Sequence, residues 1–419
     1  MEDTVVVVFI LAFSLQRICE GGLLLLNQRH AARHGHQVPP ALRDRFDAES
    51  ARKAQAYTLA RGRLAMMGLA MGTVLTPLAL FSGVLPWASD WLHGLGLRGA
   101  HHFVGVLLLV LGATALVGLP LRLYGTFGVE ARFGFNRMGL GLWLLDRLKG
   151  VAVGAALLVP LLYATHALFR LGGAAWWLWL FAFLLGWQVL LLWLYPWLIA
   201  PLFNRFTPLP GGAFREALLE LAGRAGFRPG GLYVMDASRR SGHSNAYFTG
   251  LFRPRIVLFD TLLTGLEESQ ALAVLAHEIG HFRLRHVFKR LALSLGGTLL
   301  MLWVLSLLMQ WPPVFAAFGF AEPSLGAALL LVGFCGGALT FPLEPLGNLL
   351  SRAHEFAADR YSWRLHPHRG ALASALVRLA RENLGNLNPH PWYAAWHYSH
   401  PALGERLAAI AALEAAPPT

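Results

Sequence analysis

The stretch AHEIGHFRLRHVFKR, residues 276–290, passes without a break into LALSLGGTLLMLWVLSLLMQ, residues 291–310. The first part is polar and carries a His-Glu-x-x-His pattern. The second is apolar and about as long as a bilayer span, since roughly 20 residues at 1.5 Å rise cross a hydrocarbon core of about 30 Å. Arg283, Arg285, His286, Lys289 and Arg290 follow the pattern at once, which places it at a membrane interface and not inside the apolar layer.

The rest of the chain is of the same kind. Of 419 residues, 56% are hydrophobic and only 14% charged, and the mean hydropathy is +0.50, a composition that excludes an ordinary soluble enzyme. Seven apolar segments qualify as spans, approximately 4–26, 64–86, 103–121, 151–169, 175–199, 291–310 and 324–346. The formal charge of +12 is dispersed between the spans and forms no tract, so it points to anionic lipid headgroups and away from nucleic acid.

The basic residues also alternate in side. Arg29 to Arg63 is strongly basic, Ser89 to His102 has only Arg98, and the third connection holds Arg122, Arg132, Arg137, Arg147 and Lys149. The fourth has only Arg170, residues 200–290 are rich in Arg, and Trp311 to Pro323 has no basic residue. The rule that cytoplasmic loops concentrate Lys and Arg then puts the N-terminus outside and the C-terminus in the cytoplasm. Glu2 and Asp3 make the first residues the wrong leader for a cleaved signal, so the first span is expected to be retained. Lys occurs only at 53, 149 and 289, an Arg bias that suits a GC-rich bacterial genome and hence a bacterial inner membrane.

The expected plan is a mainly α, seven-transmembrane-helix protein with a cytoplasmic-side polar domain that carries the His-Glu-x-x-His pattern and contains a small β-sheet. Residues 1–199 form spans one to five with basic cytoplasmic loops. Residues 200–290 form the first half of the polar domain, 291–346 spans six and seven, and 347–419 the second half. Within the polar halves, 213–225 reads as an amphipathic helix and 231–235 as a strand. Residues 244–249 and 255–259 read as a hairpin about a turn at 250–254, and 267–289 as a helix that runs nearly into the sixth span. The Ala- and Pro-rich end, 408–419, is expected to fray.

Four helical residues advance about 400°, so His277 and His281 stack on one face and can grip one ion, with Glu278 beside them. Zinc would bring the pKa of a bound water to about 7, within reach of a carboxylate base. Cys19 and Cys335 lie inside apolar segments, so any metal here takes His and carboxylate ligands. A third His nearby is absent, because Leu284 and Val287 stand where the extended pattern has Gly and His. The third ligand is expected from Ser351–Arg360: Glu355 would complete the set, and Asp359, one turn on, would hold a ligand imidazole. The plainer reading of these two acids is a solvated helix face paired with Arg352 and Arg360. Both motif helices sit at the cytoplasmic ends of spans six and seven, and an antiparallel pairing of those spans would make them meet. Arg17 and Glu20, inside the first span at i, i+3 spacing, read either as a packing ion pair or as cavity lining. His101, His102, His166 and Gln188 read either as lining or as helix-to-helix hydrogen bonds.

Several blocks together resemble the type I CAAX prenyl protease family of seven-span zinc metalloendopeptidases. They are Ile199–Asn204, His243–Gly250, the two metal motifs, and His397–Pro401 with Glu405 and Arg406. The resemblance covers essentially the whole chain. It implies one Zn2+ per chain on His277, His281 and Glu355, Glu278 as general base, and His400 and Arg406 as groups that hold the substrate or the developing oxyanion. It also implies that the strand bearing Asn245, with His243 before it, aligns the peptide, and that a water-filled chamber lies within the helices. The activity implied is removal of the last three residues of prenylated proteins. In a bacterium the native diet would be broader, taking in peptides or misfolded membrane proteins; partners are substrate and lipid, and the protein is expected as a monomer. Two other classes fit parts of the pattern. An intramembrane protease would carry its motif inside an apolar span, and a transporter or scaffold with a structural zinc would not need Glu278.

Overall fold

The computed structural model describes residues 1–39, 42–43, 46–250 and 254–415. Five long apolar helices come first: α1 Glu2–His34, α2 Ala48–Phe81, α3 Gly99–Val117, α4 Leu140–Leu171 and α5 Trp176–Leu194. Asp47 starts α2 by accepting from the Ser50 N–H at 2.7 Å. After α5 the chain forms α6 Ala213–Arg224 and a four-stranded sheet of β1 Phe206–Pro208, β2 Leu232–Met235, β3 Ala246–Thr249 and β4 Arg255–Phe259. Next comes α7 Glu268–Arg283, opened by a capping box in which the Glu267 and Gln270 side chains each accept from the other's N–H. The sixth span is α8 His286–Leu308. The seventh begins as α9 Leu325–Thr340 and runs through a short turn into α10 Glu344–Leu365. Then follow α11 Ala371–Glu382, α12 Pro391–His397 and α13 Leu403–Ala415.

Among the described residues, seven helical runs are long and apolar enough to cross a membrane, in the places the sequence implies. The sheet order is β1-β2-β4-β3, with β2 parallel to β4 and the outer strands antiparallel to their neighbours. The expected hairpin is β3 and β4, of whose turn residues 251–253 lie outside the described residues. β1 was not expected, being three residues long and ending at a proline. The helix expected over 267–289 breaks, because Arg285 adopts φ +56° and separates α7 from α8. Residues 408–415 of the expected frayed end are helical, and 416–419 lie outside the described residues.

Spans six and seven do not meet as the antiparallel pair the sequence suggested. α8 packs mainly on α5, α5 on α4, α4 on α3, α3 on α9 and α9 on α1, which also packs on α2. The largest apolar core gathers at one end of these helices. Phe9 and Phe13 near the start of α1, Leu80 near the end of α2, Val106 in α3, Leu180 in α5, Leu305 in α8 and Leu331 in α9 all belong to it. These residues lie toward the helix ends that are remote from the polar domain. Arg17 meets Glu20 at 3.3 Å and lies over the Phe13 ring, 4.8 Å from its centroid, all within α1. His101 bonds Tyr163 of α4 at 2.7 Å and His102 reaches the Ser89 carbonyl at 2.8 Å, both contacts between elements.

The polar domain has its own cores. One joins Leu218, Leu221, Ile256, Leu258, Leu275 and Ile279 and takes in Tyr361 and Leu365 of α10. Another joins Ala273 to α11 and α13 and to Leu42, Phe46 and Ala51 from the first basic loop. α7 packs closely on α10, where a Cβ at Gly280 would lie 3.1 Å from Tyr361 Cβ and 3.3 Å from Ala358 Cα. The Ser362 hydroxyl bonds the Ala273 carbonyl across the same contact at 2.8 Å.

Gly280→Leu overfills this contact and is expected to cost about 1–3 kcal/mol. It should lower the midpoint of thermal unfolding in detergent together with zinc content; an unchanged midpoint would contradict the close approach.

Candidate active site

The approach of α7 to α10 brings two sequence-distant motifs together. His277 and His281, one turn apart on α7, point their Nε2 atoms at one spot, 3.1 Å from each other. Glu355 of α10 completes the cluster, its carboxylate 3.5 Å from His277 Nε2 and 3.1 Å from His281 Nε2. One donor atom from each of the three residues lies within 4.8 Å of the others.

The surroundings hold these groups in position. His277 donates from Nδ1 to Asp359 Oδ1 at 2.7 Å, which fixes the ring and leaves Nε2 facing the cluster. Arg406 of α13 grips Asp359 with two bonds, Nε to Oδ2 at 2.9 Å and Nη2 to Oδ1 at 2.5 Å, and its Nη1 stands 3.5 Å from Glu355. His281 turns its Nδ1 to His286 Nδ1 at 2.9 Å, and the His286 ring stacks on His354 with centroids 4.0 Å apart. All four supporting residues, Asp359, Arg406, His286 and His354, are buried.

The residues present fit a divalent metal. Glu355 is 3% exposed and its Oε2 has no hydrogen-bond donor among the described residues. Two converging imidazole nitrogens and a buried carboxylate, with the remaining imidazole nitrogens engaged elsewhere, form the donor set of an open catalytic zinc site. A cation at this spot satisfies all three at once.

A cleft of about 490 Å³ opens beside the cluster, and Glu278, Asn245, His243, His400 and Arg406 all line it. Every expected site residue therefore either belongs to the cluster or borders the same cleft, or, as for Asp359, braces a member of it. Burial pushes the Glu278 carboxyl up, against the pull of His277 and His281. His400 is exposed, its Nδ1 bonded to the Ser399 hydroxyl at 3.0 Å and its Nε2 3.5 Å from Glu355. Asn245 is also exposed, at the start of β3, whose outer edge carries no strand partner among the described residues. Arg406, by contrast, is inside the protein, with most of its donors on Asp359.

Sequence reasoning missed His286 and Asn383. His286 lies five residues after His281, about 140° round a continuous helix, and reaches His281 only because the chain kinks at Arg285. Asn383, at the end of α11, accepts from His243 Nδ1 at 3.0 Å and from the Ser244 N–H at 3.1 Å, a contact that no local pattern announces.

With this geometry in place, comparison with known proteins is informative. Residues 27–205 match the family described as "CAAX prenyl protease N-terminal, five membrane helices", and residues 208–414 match peptidase family M48. CAAX prenyl protease 1 of Saccharomyces cerevisiae is 34% identical over 402 residues, covering 89% of this chain and 88% of the yeast protein. The Homo sapiens CAAX prenyl protease 1 homolog is 32% identical over 434 residues, covering 92% of this chain and 91% of its own. The crystal structure of S. mikatae Ste24p superposes with a TM-score of 0.86 at 30% identity, over 98% of both chains. The expected fold and the resemblance both hold, and the chain belongs to the CAAX prenyl protease 1 family of multi-pass membrane zinc metalloproteases within peptidase family M48.

Proposed function

We propose that this chain cleaves a peptide bond near the C-terminus of prenylated substrates, releasing the last three residues, and that it also accepts other membrane-associated peptides. The observation that carries the proposal is the convergence of His277, His281 and Glu355 beside Glu278 in one cleft. His277, His281 and Glu355 would hold one zinc ion per chain, which when bound would supply the Lewis acidity that makes water nucleophilic near neutral pH. Glu278 takes the proton of the attacking water and passes it to the leaving amine. The desolvation that raises its affinity for a proton suits a group that must hold one between two steps. Asp359 keeps His277 in the ligating orientation, and Arg406 holds Asp359. Exposed on the cleft, His400 is the donor best placed to meet the developing oxyanion, with the Arg406 charge behind it. The open edge of β3 from Asn245, with His243 before it, takes the peptide through main-chain hydrogen bonds.

A chamber for the lipid tail would lie among the membrane helices on the side of the site, a reading supported by an apolar core that gathers at the remote end. The cores shared between 200–290 and 347–419 support reading these segments as two halves of one domain. All the basic connections lie on that domain's side, which supports an outside N-terminus and a cytoplasmic C-terminus. The bacterial inner membrane rests on the Arg bias alone, and the relatives named above are eukaryotic. We take the chain to act as a monomer among membrane lipids.

Purified protein is expected to cleave a farnesylated CAAX peptide faster than its unlipidated twin, and chelator should abolish both. Glu278→Gln should retain zinc and lose about 10²–10⁴-fold in turnover. Zinc-bound protein that cleaves neither peptide would overturn the assignment, and full function in Glu278→Gln would favour a structural metal. Asp359→Asn is expected to weaken zinc binding by about 10–100-fold in competition with a chelator; wild-type affinity would remove Asp359 from the site.

A further inference from the structure

The peptide-facing strand is held at its start by residues from the membrane half of the chain. Glu130 closes a turn of π-helix, Tyr124–Glu130, on the same side as the polar domain. Its Oε1 accepts from the Tyr57 hydroxyl at 2.8 Å and from Arg61 Nη1 at 3.1 Å, both on α2. Its Oε2 lies 3.3 Å from His243 Nε2. The other ring nitrogen of His243 meets Asn383, which also takes the Ser244 N–H, so the two residues before Asn245 are gripped from both sides.

Backbone contacts run alongside this chain of side chains. The Gly242 N–H bonds the Phe135 carbonyl at 2.9 Å and the Arg137 N–H bonds the Arg240 carbonyl at 3.2 Å. The Phe135 ring lies flat on the His243 ring, with centroids 3.9 Å and planes 15° apart. Burial opposes ionisation of Glu130, yet hydrogen bonds from His243 and Tyr57 and the Arg61 charge hold its carboxyl below the usual range. A half-buried acid with this many donors fixes geometry in a way an exposed ion pair does not. β3 has only four residues and pairs on one side with β4, so what holds its first residues sets where its open edge stands.

We propose that Glu130 is a positioning residue for peptide binding. Through His243 it fixes the start of β3, so that the membrane half of the chain sets the register of the peptide edge against Glu278. This rests on the reading above that the edge of β3 takes the peptide. Glu130 touches neither the metal cluster nor the cleft's reacting groups, and its loss should therefore act on binding and not on turnover.

The test is steady-state cleavage of a farnesylated CAAX peptide by the full-length enzyme in detergent, with zinc content measured on each variant. Glu130→Gln is expected to raise KM about tenfold, with kcat within about twofold of wild type and zinc unchanged. Combined with His243→Gln it should add little beyond His243→Gln alone, because the two residues act through one contact. Tyr57→Phe removes a single donor and should shift KM the same way by less, which keeps the test open if Glu130→Gln fails to fold. Asn245→Ala, run in parallel, separates the two layers. If it leaves KM unchanged, the edge-strand reading falls; if it raises KM while Glu130→Gln and Tyr57→Phe do not, only the role of Glu130 falls. A loss of kcat at constant KM in Glu130→Gln would also overturn the proposal.

Discussion

Glu355 carries a carboxylate with almost no access to solvent, and an ion so placed is stable only when paired. Its neighbours are two imidazoles, an arginine that mostly serves another acid, and a second buried carboxylate one turn on. A divalent cation turns this costly arrangement into a satisfied one. The α7–α10 contact exists in a form that permits it, because glycine at position 280 lets the two helices approach closely enough for ligands on one to meet a ligand on the other.

The rest of the architecture serves this contact. The break at Arg285 lets α7 lie on the polar core while α8 enters the apolar layer, and it carries His286 round to brace His281. The turn at 341–343 likewise passes the seventh span into α10 without giving up helical continuity. Because α8 and α9 take different neighbours, the two ligand-bearing helices converge below spans that stand apart. The packed apolar core of the spans lies at the end away from the site. The edge strand completes the cleft, tied through His243 and Glu130 to the membrane half.

Features whose signal is local or compositional were legible in the sequence. The spans follow from apolar length, and the ligand pair from a spacing of four on a helix. Glu355 and Asp359 were legible because their spacing and their place after the seventh span both pointed to α7. The route by which they meet was not, since it depends on packing partners that hydropathy does not encode. His286 was hidden by a kink, which breaks the periodicity that would have found it. Asn383 and Glu130 were hidden because their partners lie more than 100 residues away in sequence. β1 was too short for alternation to show.

The most direct measurement is anomalous X-ray scattering at the zinc edge from crystals of the zinc-loaded protein. The account places one peak per chain, about 2.0–2.2 Å from a nitrogen of His277, a nitrogen of His281 and a carboxylate oxygen of Glu355. A chain that crystallises folded with no peak there, or with the Glu355 side chain turned away from both histidines, would contradict it.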